Sequence, residues 1–305
     1  MTIGFIGLGK MGWPMAACLV RGGQVPLVLD ARPEVAPRFV REVGGAAATG
    51  LAALAAASDV IITMLPTSDA VAAVLEATPA DPGVLAGLRP DAILLEMSSG
   101  VPAKTRHLAA LVAARGGHLV DAPVSGGVAR AETGTLAIMA GGEAAAIDRA
   151  EPVLQALGSS VTRTGAVGSA HAMKALNNLV SAAGFLIGIE ALLIGQQAGL
   201  DPALMTDVLN ASTGMNNSTQ KKFRQFVLSR RFDSGFSLDL MVKDLSSALD
   251  VARETGTAAP FAALCRELWA SAAASLGPGQ DHTAMALLCE RLAGAVLEGA
   301  ADAAG

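Results

Sequence analysis

Thr2 to Ile6 is a short apolar run that meets Gly7-Leu8-Gly9-Lys10-Met11-Gly12, and a helical pattern then continues through Val20. No other stretch restricts the fold as much. Gly7 permits a tight turn after the strand, Gly9 lets a pyrophosphate approach the backbone, and Gly12 lets the helix pack closely. Alone, such a glycine pattern is a weak signal. Here a second strand, Pro26 to Leu29, ends in Asp30, at about the ~20-residue spacing of a ribose-binding carboxylate. Together these predict a dinucleotide site built from Gly7, Leu8, Gly9, Lys10, Met11, Gly12 and Asp30. NAD is the expected cofactor, because Asp30 accepts from both ribose hydroxyls and repels a 2′-phosphate. Arg32, two residues on, keeps NADP open.

The same alternation continues. Asp59 to Leu65 and Ala92 to Glu96 are apolar runs of buried parallel type, leaving through Pro66 and through Met97-Ser98-Ser99-Gly100. Helical segments are expected near residues 49–57, 68–77 and 103–115. His118 to Val120, Gly134 to Gly142 and Ser160 to Thr164 read as further strands. Strands alternating with helices predict an α/β fold with a doubly wound parallel sheet of Rossmann type, binding ligands at the carboxyl strand ends. One such exit is Asp121-Ala122-Pro123-Val124-Ser125-Gly126-Gly127. Its small residues expose successive backbone N–H groups as an anion-binding concavity, with the Ser125 hydroxyl as a further donor.

Gly165 to Ser181 opens with glycines and becomes a helix in which Lys174 and Asn178 are four apart, hence on one face. Asn177 stands beside them. From Ala175 to Ile189 the helix carries no charge, so Lys174 sits at the mouth of an apolar rod. Burial there disfavours the ammonium and makes the neutral amine accessible for proton transfer. His171, one turn earlier, competes for the same role, since its ordinary pKa suits proton transfer better. Lys174 is preferred because Asn178 shares its face.

Beyond Gly195 no strand pattern survives. Asp201-Pro202 caps a helix through Asn210, a polar loop covers Ser212 to Gln220, and helices near 237–254, 258–276 and 281–298 follow. Lys243-Asp244 lies on the first of these and reads, by pattern alone, as a solvated pair. The tail Gly299 to Gly305 is expected to fray. The division expected is a nucleotide-binding domain over 1–163 and an all-α domain over 164–305, with an interdomain helix at about 168–196.

The 305 residues suffice for two cores, and the net charge of −5 argues against a nucleic-acid partner. Cys18, Cys265 and Cys289 form no pairing or metal spacing, which fits a reducing cytoplasm, and four dispersed histidines give no metal site. The N-terminus lacks a basic region and is broken by glycines, so it does not read as a signal peptide. The apolar helix after Lys174 falls short of the ~20 residues of a membrane span and is closed by Glu190, so no membrane partner is expected. With no tyrosine in the chain, a tyrosine acid/base is excluded. An apolar chain whose helical half lacks a sheet should associate, as a homodimer or homotetramer.

The glycine turn with Met11, the Asp121–Gly127 run, the Lys174–Asn178 pair and Lys243-Asp244, in that order and spacing, resemble the β-hydroxyacid dehydrogenase family over essentially the whole chain. The resemblance implies an NAD(P)-dependent dehydrogenase of a small 3-hydroxy carboxylate, of the 3-hydroxyisobutyrate or tartronate semialdehyde class, in which the residue matching Lys174 is the acid/base. It also implies that Asn178 holds substrate, with Asn177 beside it, and that Ser125, Gly126 and Gly127 grip a substrate carboxylate. Leu65, Pro66, Ser99 and Lys243 match cofactor positions. An imine or other semialdehyde reductase, or a non-catalytic nucleotide-binding module, is the alternative on this scaffold; retention of both Lys174 and Asn178 argues against the module. Three places depart from the family pattern: Cys18 for the usual asparagine, Ala170 for a glycine, and Ser98-Ser99-Gly100-Val101 for the common Ser-Thr-Ile-Ser or -Asp.

Overall fold

The computed structural model describes residues 1–76 and 82–298. The expected helix end at residue 77 and the tail Gly299 to Gly305 lie outside the described residues. The chain divides into two compact units, Met1–Lys174 and Ala175–Gly305. That boundary falls inside a helix, later in the chain than the 163/164 junction expected.

In chain order the first unit runs β1 (Ile3–Ile6), α1 (Gly12–Arg21), β2 (Leu27–Leu29), α2 (Val35–Glu42), β3 (Ala46–Ala47), α3 (Leu51–Ala56), β4 (Val60–Thr63) and α4 (Ser68–Leu75). It continues with α5 (Val84–Gly87), β5 (Ile93–Glu96), α6 (Pro102–Ala113), β6 (His118–Asp121), β7 (Val124–Ser125), α7 (Gly127–Thr133), β8 (Leu136–Gly141), α8 (Ala144–Leu157), β9 (Gly158–Gly165) and the start of α9 (Ser169–Gln197). Its sheet has the order β3-β2-β1-β4-β5-β6-β8-β7, with β9 on β8. The β3-to-β6 part is parallel throughout, the strand order of the doubly wound dinucleotide fold.

Strand periodicity places the core. Phe5, Ile62, Leu95 and Val120 point to one face, where Met15 and Leu19 of α1, Phe39 of α2 and Leu154 of α8 cover them. Ile6, Ile61, Leu94 and Leu119 point to the other, beneath Leu54, Val71, Leu108 and Val112. Strands covered on both faces are apolar at successive residues, which is why β1, β4 and β5 were legible as continuous runs. Helices α2, α7 and α8 were not: α2 is short and carries Pro37 with three charged residues, α7 begins in the glycines of the Asp121–Gly127 run, and α8 carries Pro152.

The second unit is helical. Beyond α9 it contains α10 (Pro202–Asn210), α11 (Asn217–Lys221), a π-helical segment (Phe223–Leu228), α12 (Leu238–Glu254), α13 (Pro260–Leu276), a 3₁₀ turn (His282–Ala284) and α14 (Met285–Ala293). Two expectations change. The polar loop over Ser212 to Gln220 contains the start of α11, nucleated by Asn216 and Thr219 in reciprocal side-chain-to-backbone capping. The last expected helix begins with the 3₁₀ turn and ends at Ala293, where Gly294 adopts the left-handed conformation that terminates helices. By length and composition α9 could cross a membrane, at mean hydropathy 1.8. Instead its Phe185, Ile189 and Leu192 are buried in this unit's core, where Phe185 meets Phe223 and Trp269 at ring-centroid distances of 5.7 and 5.8 Å.

Candidate active site

Parallel strands in register bring their carboxyl ends to one edge. Ile6 pairs with Leu29 and Thr63, Thr63 with Glu96, and Glu96 with Asp121. The residues immediately after these ends are the predicted cofactor and substrate positions of the first unit: Gly7 to Gly12, Asp30, Leu65 and Pro66, Ser99, and Ser125 to Gly127. The turn after β1 is set by Gly7, whose φ of +98° disfavours a side chain and whose Cβ would lie 2.4 Å from Met64 O. Beside it, nothing lies within 4 Å of where a Gly9 Cβ would stand, so the backbone is open to a ligand there. Leu8 is buried and Gly12 packs against the Gly7 carbonyl, while Gly9 and Lys10 are exposed.

A cavity of about 540 Å³ opens beside this turn, lined by Gly9, Lys10, Trp13, Arg32, Val35 and Arg38 among others. Asp30 accepts from Leu8 N–H at 2.8 Å through one oxygen, and from the Arg32 backbone and Nε at 3.0 Å through the other. Burial would raise the Asp30 carboxyl, but the hydrogen bonds and charge of Arg32 outweigh it and hold the group below the usual carboxylate range. The carboxylate is therefore ionised and partly neutralised in place. An open glycine turn, an ionised acid at the β2 end and a cavity with cationic walls together fit a nicotinamide dinucleotide.

Ser125 ends β7, and Gly126 and Gly127 are exposed at the start of α7. Gly126 has φ +132°, and a Cβ there would stand 2.4 Å from Arg130 Cδ. Asp121, at the head of the same run, does something sequence reasoning missed. Fully buried, it accepts Gly168 N–H at 2.8 Å on one oxygen and His171 N–H at 2.9 Å on the other. These amides lie at the start of α9, Gly168 just before it and His171 in its first turn, where helical N–H groups lack intrahelical partners. Burial pushes the Asp121 carboxyl up, against the opposing pull of His171 and the two amides. Asp121 thus ties the helix that carries Lys174 to the β6 end.

Lys174 lies on the first turns of α9 and is 9% exposed. Asn178 follows on the same helix face, buried, within the second unit. Asp244, which bonds to it, is the second residue whose role sequence reasoning missed. Asn178 Nδ2 donates to Asp244 Oδ2 at 2.6 Å, Asn177 Nδ2 donates to Asn178 Oδ1 at 3.1 Å, and Lys243 Nζ lies 3.2 Å from Asp244 Oδ1. A carboxylate only accepts, so Asp244 fixes which end of the Asn178 amide faces it. Asp244 is 3% exposed, which replaces the solvated-pair reading of Lys243-Asp244. Only the tertiary pairing of α9 with α12 reveals this role.

His171 is fully buried. Nε2 stands 2.9 Å from Glu96 Oε2 and 3.0 Å from Ser98 O, and Nδ1 stands 2.8 Å from Thr105 Oγ1 and 3.8 Å from Asp121 Oδ2. A histidine enclosed in this way has no path to a substrate hydroxyl, so it does not compete with Lys174 as acid/base.

Two family models divide the chain. Residues 2–165 match the NAD-binding domain of 6-phosphogluconate dehydrogenase, and residues 168–289 match the NAD-binding domain of NADP-dependent 3-hydroxyisobutyrate dehydrogenase. The 2-(hydroxymethyl)glutarate dehydrogenase of Eubacterium barkeri is 34% identical over 300 residues, 98% of each chain. The chain belongs to the β-hydroxyacid dehydrogenase family. This dehydrogenase is also 35% identical to the 3-sulfolactaldehyde reductase of Escherichia coli over 93% of its own length and 94% of that protein. The 3-hydroxyisobutyrate dehydrogenase of Mycobacterium tuberculosis, solved with L-serine, superposes with a TM-score of 0.85 at 33% identity, covering 94% and 98% of the two chains. The dehydrogenase is an NAD(P)-dependent oxidoreductase acting on hydroxy acids.

Proposed function

We propose that the enzyme interconverts a small 3-hydroxy carboxylate and its semialdehyde or keto form, with Lys174 as the acid/base. The observation that carries this is the position of Lys174. It is a buried amine on a helix whose first turn is bonded to the ends of β5 and β6, where Ser99 and Ser125 to Gly127 begin. Gly7 to Gly12, Asp30, Leu65, Pro66 and Ser99 would hold the dinucleotide; Lys243 is assigned to it by the family resemblance. When bound, the nicotinamide supplies the hydride acceptor. As the substrate's C–H bond gives up its hydride, the O–H proton goes to Lys174 Nζ, which returns it in the reverse direction. Asn178, its amide oriented by Asp244, binds the substrate from the same helix face. The glycines at the start of α7 leave main-chain N–H groups approachable by a carboxylate. The relatives named for hydroxymethylglutarate, sulfolactaldehyde and hydroxyisobutyrate support an anionic substrate.

Association is part of the same reading. Val180, Ile187 and Ile194 recur every seven residues along α9 and are 73%, 57% and 71% exposed. A seven-residue apolar stripe is what a helix presents to a partner helix, and a homodimer or homotetramer would cover it. Three buried free thiols fit a reducing, cytoplasmic setting.

The deciding experiment replaces Lys174 by alanine. A positioned acid/base contributes ~100- to 10,000-fold, so kcat should fall by that factor while cofactor binding, read by fluorescence titration, is kept. Undiminished oxidation by Lys174→Ala would refute the assignment.

A further inference from the structure

Glu96 and His171 form a buried ion pair that the proposed chemistry does not touch. Nε2 of His171 faces only acceptors, the Glu96 carboxylate and the Ser98 carbonyl. On the other side Thr105 Oγ1 donates to Val101 O at 3.1 Å and so offers its lone pairs to Nδ1, with the Asp121 carboxylate behind it. Both ring nitrogens therefore carry protons, and the ring is an imidazolium. Burial alone would lower the histidine and raise the glutamate. Their mutual charge and hydrogen bonds outweigh burial, so the His171 pKa is raised and the Glu96 pKa lowered. Glu96 Oε1 also accepts Ser98 N–H at 2.9 Å, and the Ser98 hydroxyl accepts Leu65 N–H at 3.0 Å. The pair is thus bonded on one side to the loop carrying Ser98 and Ser99, and on the other to the first turn of the helix carrying Lys174.

Gly100 shows what the pair requires. A Cβ at this position would stand 2.6 Å from His171 Cε1 and 2.9 Å from Glu96 Oε2. The family's common isoleucine here would occupy the space of the imidazolium. A side chain at position 100 and the imidazolium of His171 compete for the same space.

We propose that Glu96 and His171 are positioning residues, an internal clamp that fixes Lys174 relative to the cofactor loop after β5. This rests on the acid/base reading of Lys174. The clamp works through geometry: a misplacement of about 1 Å at a reacting group can cost ~100-fold in rate.

The test compares Glu96→Gln, the double variant Glu96→Gln/His171→Gln, Gly100→Ala and Lys174→Ala. Each is assayed for kcat, for KM of the hydroxy acid and for cofactor dissociation constant, on protein verified as folded by circular dichroism. The double variant keeps side-chain hydrogen bonding and removes both charges of the pair, leaving Asp121 to its two amide donors, so it guards against misfolding of the single one. Gly100→Ala displaces the pair without altering its charges. The clamp predicts that the double variant and Gly100→Ala each lose about 10- to 100-fold in kcat, with the cofactor constant within about threefold of wild type. It also predicts that Glu96→Gln, which leaves the imidazolium only the more distant Asp121 carboxylate at 3.8 Å, loses more than the double variant, so that adding His171→Gln recovers activity. A folded double variant with kcat within about threefold of wild type would overturn the clamp and leave the pair a stabilising element. So would a cofactor constant that weakens in step with kcat. Lys174→Ala separates the two readings. If it stays active, the acid/base assignment fails; if it alone is inactive, only the clamp fails.

Discussion

Asp121→Asn is the sharpest test of how the site is held. In wild type each carboxylate oxygen accepts one buried amide, Gly168 N–H or His171 N–H. Asparagine keeps one oxygen and turns an NH₂ toward the other amide. One N–H is left unsatisfied in a fully buried position, which costs ~1–3 kcal/mol, and the surviving bond loses its charge assistance, ~1 kcal/mol more. Burial raises the Asp121 pKa, so neutralising the group returns part of this. Less that part, the ~2–4 kcal/mol lost leaves a net of ~1–3 kcal/mol. For a unit of this size each kcal/mol is worth ~2–4 °C, so the melting temperature should fall by roughly 2–12 °C. Because the freed amide loosens the start of the helix that carries Lys174, kcat should fall too, by up to ~100-fold. Thermal unfolding by circular dichroism and initial rates at the reduced-nicotinamide absorbance measure both. A melting temperature within about 1 °C of wild type, with unchanged kcat, would mean that Asp121 does not anchor α9.

Stability should show the Glu96–His171 pair directly. A lowered Glu96 pKa stabilises above its ordinary 4.5, and a raised His171 pKa stabilises below its ordinary 6.5. The difference in urea stability between wild type and Glu96→Gln/His171→Gln should therefore be greatest between those values. It should decline as pH rises through the folded histidine pKa or falls through the folded glutamate pKa; continued growth above pH 6.5 would contradict the ion pair. On cofactor choice, kcat/KM should favour NAD over NADP because of Asp30, and Asp30→Ala should narrow the preference, leaving Arg32 and Arg38 to attract a 2′-phosphate. Equal or better kcat/KM with NADP in wild type would refute this. Ile187→Glu, on the exposed stripe of α9, should yield monomers by light scattering at micromolar concentration, and a wild type already monomeric there would refute association through this face.

What the sequence determined by itself was local. The turn after β1 follows from glycines that no other residue replaces, and the central strands follow from apolar runs whose two faces are both buried. Lys174 and Asn178 share a face because four residues make little more than one helical turn. Each depends on near neighbours in the chain, so each can be read without knowing the fold. The tertiary structure decided what these residues mean to one another. Asp244 meets Asn178 across 66 residues, and Asp121 reaches the start of α9 across 47 and 50. His171 had the ordinary pKa of a proton shuttle, and became a buried cation only because β5 and β6 bring Glu96 and Asp121 to its ring. Gly100 looked like a loose loop residue until that ring occupied the space of its missing side chain. No periodicity encodes such pairings. A buried charge is tolerated only where opposite charge and hydrogen-bond partners converge on it, and that convergence exists only in the folded sheet.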